Sequence, residues 1–359
     1  MNKLGLCLVA LALASSLLAG GCAATPSGGS SDDGGGAVEA EYEWRVSNFL
    51  TEAGVGARSI NHFCDVLNGL SDGRVHAKYY GSAALGDSEE NFDAIQAGEL
   101  EIGVISPYSG FHELQNVKGL PFAGSTFEKA DKLFYGDGLI RYIIDYSWDL
   151  CGMKSLGYIE NSHMVYINNV RPILTPDDFE GLKIRVPPSD VYVKTFERMA
   201  PKGIGETIPW TETYTSLERG VVDGTVNYIS VYQAAKFNEV AKYYTDINQM
   251  YNWDNLLMNK DLYESLPEDV RGMVLEAADV MEADCRFTNR TSIEAIMEQC
   301  EGTGTEFISL TPEQRQVFID NVDPYDLYQV LYEDLLEKYF PGENMYDKLV
   351  DAVRTVESA

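Results

Sequence analysis

Arg185 is the residue of this chain that first demands a chemical explanation. It stands third in KIRV, a short apolar run framed by Gly181 and by Pro187-Pro188 that reads as a strand. A guanidinium is almost never buried without a partner, and its planar fork matches a carboxylate bidentately where a lysine ammonium cannot. Either a bound anion or a protein carboxylate such as Asp190 or Asp223 must therefore meet it. Trp210 falls where the short segment ETIPW ends and a helical pattern from Thr211 to Arg219 begins, with Thr211 as the expected N-cap. Strand ends of α/β sheets are where ligands bind, so Trp210 reads either as a ligand wall or as a core tryptophan.

Other chemistry is not spelled out. There is no G-x-S-x-G, no P-loop and no H-E-x-x-H, and the four histidines, His62, His76, His112 and His163, lie far apart. The expectation is no enzyme, no metal and no cofactor. Cys64, Cys151, Cys285 and Cys300 form neither a C-x-x-C nor a zinc spacing, and three of them sit at apolar helical positions, so buried free thiols are as well supported as bridges. A net charge of −29 argues against nucleic acid, whose phosphates need a basic face. Gly54 to Ser59 is nearly a dinucleotide fingerprint, but Ser59 stands where the third glycine belongs, which leaves a turn and helix entry.

The positioning elements follow from periodicity. Residues 1–21 read as an export signal: Lys3, an apolar run from Leu4 to Leu18, then small residues before Cys22. Cys22 is the expected lipidation site, and residues 22–41 a Gly/Ser-rich disordered tether. Beyond it, EYEWRVSNF, RVHAKYYG and LEIGVIS alternate with helical segments, with Asp87 and Glu90 as one capping box and Ser125 and Glu128 as another. That order implies a parallel sheet with helices on its faces. MKSLGYI and MVYIN read as two closely spaced strands through which the chain crosses into a second lobe. The stretch 181–228 is then strand, helix, strand, helix, strand, and YYTDINQM and DNLLMNK bring the chain back. From Pro267 to Glu301 runs a helical pattern long enough, at about 1.5 Å per residue, to cross more than one lobe.

GLKIRVP, the aromatic before T-E-x-Y, L-x-x-G-x-V-D-G and the following Asn227, with YYGSAALGDSEENFDAIQAGELEIGV and GLPFAGSTFEKA upstream and LPEDV downstream, resemble the DctP-type substrate-binding proteins of TRAP (tripartite ATP-independent periplasmic) transporters. The resemblance covers the chain after about residue 42. It implies a two-lobed, hinged α/β fold of the periplasmic-binding-protein kind with a long helix spanning both lobes. Lobe one would take residues 42–161 and about 254–292, and lobe two 162–253 and about 293–359. The implied function is capture of a small organic acid outside the cytoplasm and delivery to membrane permease subunits, by a monomeric receptor held to the membrane through Cys22. The rival is a binding lipoprotein serving an ATP-driven importer or a sensor kinase.

Residue by residue, the resemblance makes Arg185 the carboxylate anchor, Trp210 a flat cleft wall and Asn227 an amide that donates and accepts. Asn48, Ser106 and Tyr108 match cleft positions of the first lobe. Many relatives carry a second arginine where this chain has Met164 or, one residue earlier, His163. A monocarboxylate with an apolar or aromatic body is therefore expected over a dicarboxylate held between two arginines.

Overall fold

The computed structural model describes residues 40–359, so the signal segment 1–21, Cys22 and most of the 22–41 tether lie outside the described residues. The first lobe begins with β1 (Tyr42–Ser47), α1 (Val55–Leu70), β2 (Val75–Tyr80), α2 (Ser88–Gln96) and β3 (Ile102–Ile105). A 3-10 turn at Glu113–Gly119, α3 (Phe127–Phe134) and α4 (Leu139–Leu150) then lead to β4 (Met153–Asn168). The second lobe holds β5 (Lys183–Val186), α5 (Asp190–Met199), β6 (Ile204–Thr207), α6 (Thr213–Glu218), β7 (Gly224–Tyr228), α7 (Ile229–Ala234), α8 (Phe237–Val240) and β8 (Tyr243–Asp246). The chain returns through β9 (Tyr251–Asn259), α9 (Lys260–Ser265) and α10 (Glu268–Glu301), and closes with β10 (Glu306–Ser309), α11 (Pro312–Val322), α12 (Pro324–Tyr339) and α13 (Met345–Ser358).

Strand order is β2-β1-β3-β9-β4-β7-β5-β6, with β8 pairing β4 and β10 pairing β8. Within each lobe the strands joined by crossover helices are parallel, β1 with β2 and β3, and β5 with β6 and β7. The sheet as a whole is mixed, because β9 runs antiparallel to both β3 and β4.

The two strands expected before and after Asn161 are one 16-residue strand. From Met153 to His163 β4 pairs with β9, and from Met164 onward with β7 and β8, so a single strand belongs to both lobes. The register shifts between Glu160 and Ser162, where Ser162 has φ 85°. A β-bulge there bends the strand at the lobe crossing, and it is this break in alternation that reads as a gap in the sequence.

Helix α10 is 34 residues long and packs on α1 and β4 on one side and on α7 and β10 on the other, so it spans both lobes. Residues 293–359 do not travel together: α11 packs on α5, while α12 and α13 pack on the 3-10 turn, α3 and α4 of the first lobe. Aromatic and aliphatic side chains from both lobes, Trp148 and Trp253 through Phe179, Phe196 and Leu336, share one buried cluster. A second lies between α1, α10 and the first-lobe strands, and a third under α6 to α8.

Local signals explain most element starts. Asp87 and Glu90 form the reciprocal capping box of α2, and Thr311 with Gln314 that of α11. At α3 the cap is Thr126, whose hydroxyl accepts from Lys129 N; the expected Ser125 instead gives both its N–H and its hydroxyl to the Glu357 carboxylate of α13. Gly152, at φ 75°, takes the left-handed turn that reverses α4 into β4. Cys64, Cys151, Cys285 and Cys300 are all free thiols. Among the described residues no helix is long and apolar enough to cross a membrane, and no cluster of three His, Cys, Asp or Glu is placed to hold a metal ion.

Candidate functional site

A cavity of about 210 Å³ opens between the lobes at the carboxyl ends of β3, β5 and β7. The first lobe contributes Phe49 and Leu50 after β1, Ser106, Pro107 and Tyr108 after β3, and Asp87 to Glu89 at the start of α2. The second contributes Arg185, Pro187 to Ser189 and Tyr192, then Pro209 to Thr211, then Val226 to Tyr228. Met164, Asn252 and Asp254, on the strands that cross between lobes, and Lys118 from the 3-10 turn complete the lining.

Arg185 is 4% exposed. Its Nε donates to Ile208 O at 2.8 Å, and no carboxylate among the described residues lies within ion-pair distance of it. Neither candidate partner meets it: Asp223 instead accepts from Lys183 N at 2.8 Å, and Asp190 forms no ion pair. Burial pulls the guanidinium down to about 10, with the phenols of Tyr192 and Tyr228 beside it. A buried cation without a counter-charge is costly, and an incoming carboxylate relieves that cost.

Trp210 lines the cavity but does not end a strand. The strand stops at Thr207, and Trp210 opens a 3-10 turn, Trp210–Glu212, ahead of α6, so Thr211 is not the cap. Pro209 accounts for the difference, since it cannot continue a strand ladder as a donor. The indole meets Phe237 edge-on at 5.7 Å. Asn227 is buried, and its Oδ1 accepts from Tyr228 N at 2.9 Å, which commits the acceptor and turns the amide nitrogen to other use. Ser106 Oγ accepts from Lys118 Nζ at 3.1 Å, and the Tyr108 hydroxyl donates to Glu89 at 2.6 Å, an acceptor that together with burial raises the phenol.

Two of the expected residues are not brought to the cavity lining. Asn48 is fully buried, donates to Tyr79 Oη at 3.2 Å and accepts from Leu50 N at 3.0 Å; it fixes the turn that carries Phe49 and Leu50 to the wall. His163 points away, with Nε2 2.6 Å from Gly124 O and its ring edge-on to Phe127 and Tyr251. Burial lowers it to about 4, so it is neutral near pH 7 and donates through Nε2. Of the two alignments for this position, Met164 is the residue on the wall.

Sequence reasoning missed a buried polar group in the same cavity. Lys118 and Asp254 are each 3% exposed, 3.6 Å apart. Asp254 also accepts from Asn161 Nδ2 at 2.7 Å, and Asn252 donates to Tyr192 Oη at 3.0 Å. Burial lowers Lys118 to about 8 against the opposing pull of Asp254. A lone acid in the apolar strand NWDNLLM was as anomalous as Arg185 in KIRV, and the same criterion would have found it.

The family profile of the bacterial extracellular solute-binding proteins, family 7 (DctP), matches residues 47–333. A solute-binding protein of Chromohalobacter salexigens is 25% identical over 328 residues, covering 88% of this chain and 90% of its own length. The C4-dicarboxylate-binding periplasmic protein DctP of Rhodobacter capsulatus is 28% identical over 283 residues, 76% of this chain and 81% of its own. Among solved structures, a TRAP periplasmic solute-binding protein of Chromohalobacter salexigens with bound D-glucuronate superposes with a TM-score of 0.77 at 24% identity, covering 86% of this chain and 99% of that one. One from Sulfurospirillum deleyianum with bound succinate gives 0.74 at 24% identity, covering 88% and 99%.

Proposed function

Given that the chain belongs to the bacterial extracellular solute-binding proteins of family 7, a transport family of substrate-binding components, we propose that its cleft captures a small organic acid for the membrane permease of a TRAP transporter. The observation that carries this reading is the buried Arg185 guanidinium with no carboxylate among the described residues to neutralise it. Arg185 takes the ligand carboxylate on its free terminal nitrogens, Asn227 adds an amide donor, and Trp210 packs on the ligand body. Ser106 and Tyr108 close the cavity from the first lobe, while Asn48 and His163 act from behind the lining as supports.

The lobes interconvert about residues 158–164 of β4 and 250–254 at the entry to β9, and the ligand favours the closed form by touching both. Residues 1–21 direct export, Cys22 is lipidated, and the receptor works outside the cytoplasm as a tethered monomer. The relatives named above that hold glucuronate and succinate support an acid as the cargo.

The test is calorimetry and thermal unfolding against small acids and their uncharged amides. Losing a charge-assisted contact of about 1.5–3 kcal/mol weakens binding roughly 10- to 150-fold, so Arg185→Met should lose acids by that factor and leave any amide binding unchanged. Amides that bind the wild-type protein as tightly as acids would defeat the reading.

A further inference from the structure

The two cations of the cavity ride on different lobes. Lys118 belongs to the 3-10 turn Glu113–Gly119, which packs on α4 of the first lobe, and Arg185 to β5, whose chain continues through the wall residues Pro187 to Ser189 into α5. These two segments meet beside the cavity. Gly119, the residue after Lys118, lies against Val191 of α5, and Ser189 Oγ donates to Asn116 Oδ1 at 3.4 Å.

No side chain fits at this meeting point. A Cβ on Gly119 would stand 2.6 Å from Val191 Cγ1 and 3.2 Å from its Cγ2, inside the ~3.5–4.0 Å at which carbon atoms attract. Gly119 is not among the residues with positive φ, so its backbone does not demand a glycine; the approach of Val191 does. Val191 has little freedom to step aside, being buried and in the first turn of a helix, where a β-branched side chain holds one χ1 rotamer. The turn is held from behind as well: Tyr332 Oη of α12 donates to Asn116 O at 3.1 Å, and the Tyr328 hydroxyl donates to Pro121 O.

We propose that the contact of Gly119 with Val191 is the stop that fixes how far the lobes close, and that Gly119 is a positioning residue setting the span between the Lys118 and Arg185 sides of the cavity. This rests on the ligand-driven closure proposed above. Opening the lobes parts the contact, so a methyl group added at position 119 burdens the closed form alone. A ligand that must bridge both lobes then meets a cavity propped open, and its apparent affinity falls with the population of the closed form.

Calorimetry, urea unfolding and small-angle scattering on the purified protein decide it, with the tightest binder among succinate, glucuronate and hexanoate as ligand. Gly119→Ala should weaken binding at least tenfold and reduce the compaction on binding, while the unfolding of the unliganded protein stays as in wild type. Val191→Ala removes both methyl groups that the new Cβ would meet, so the double variant should bind as Val191→Ala alone does. Unchanged affinity in Gly119→Ala overturns the inference and leaves the organic-acid reading intact. So does an equal loss of unliganded stability, which would mark a fixed packing contact. Binding to wild type without compaction removes closure and this inference with it. If no acid binds, the carboxylate reading falls, and the stop is judged without ligand: the disulfide of an Asn116→Cys, Ser189→Cys pair should form at least tenfold more slowly once Gly119→Ala is added, and equal rates overturn the inference.

Discussion

Lys118 and Arg185 are both buried cations in one cavity, yet their surroundings give them different duties. Arg185, held near 10 by burial, keeps its charge across the physiological range. Lys118, lowered to about 8, loses its charge within reach of ordinary buffers, and it faces Asp254, the Ser106 hydroxyl and, at 5.8 Å, the ring of Trp253. The sign follows directly. Below pH 8 the ammonium offsets Asp254; above it the cavity becomes one charge more negative and repels a carboxylate. Acid affinity should therefore fall as pH rises from 7 to 9, by at most about tenfold per unit, since one proton is involved. Lys118→Met should flatten that profile, and a flat wild-type profile would show that Lys118 does not titrate there.

At the scale of elements, the junction of β4 and α10 is tied by a charged network. Glu160, buried on β4, accepts from Arg290 Nε at 3.0 Å and from Asn289 Nδ2 at 3.1 Å, and is bonded to the Tyr251 hydroxyl of β9. Arg290 also reaches Asp131 of α3 at 2.6 Å. Removing one partner of a buried pair costs about 3–5 kcal/mol because the other stays charged and unpaired, whereas replacing both costs far less. Arg290→Met should accordingly lower unfolding stability in urea by that amount, and adding Glu160→Gln should recover much of the loss. Additive losses would mean that the pair does not act as a unit.

How far each signal reaches along the chain decides which elements the sequence discloses. Capping chemistry is local, so Asp87 with Glu90 and Thr311 with Pro312 marked their helices correctly. Ser125 satisfied the same local pattern, but a carboxylate 232 residues later claimed it and the cap passed to Thr126. Arg185 was legible because an unpaired cation in an apolar run is improbable by type alone. The pairing of Lys118 with Asp254, 136 positions away, is set by tertiary proximity and carries no sequence period. Asn48 and His163 sit next in sequence to wall residues, Phe49 and Met164, and a one-residue step along an extended chain turns a side chain to the opposite face.

For the whole molecule, the motion proposed for capture has a scattering signature. An acid that touches both lobes should reduce the radius of gyration, and Arg185→Met should remove the change at the same ligand concentration. Compaction that persists in the variant would detach closure from the carboxylate contact.

The strand shared by both lobes also sets the mechanics of that motion. β4 and β9 remain hydrogen-bonded through the crossing, from Met153–Asn259 to His163–Tyr251, with register shifts at Ser155 to Gly157 and, at the crossing itself, at Glu160 to Ser162. Two lobes joined by a paired ribbon behave like plates on a leaf spring rather than on a swivel. A bulge is the softest point of such a ribbon, and an axis through it is the one about which the proposed rotation meets least resistance. On the proposed closure, that axis would let a partner touching both lobes read occupancy as one angle.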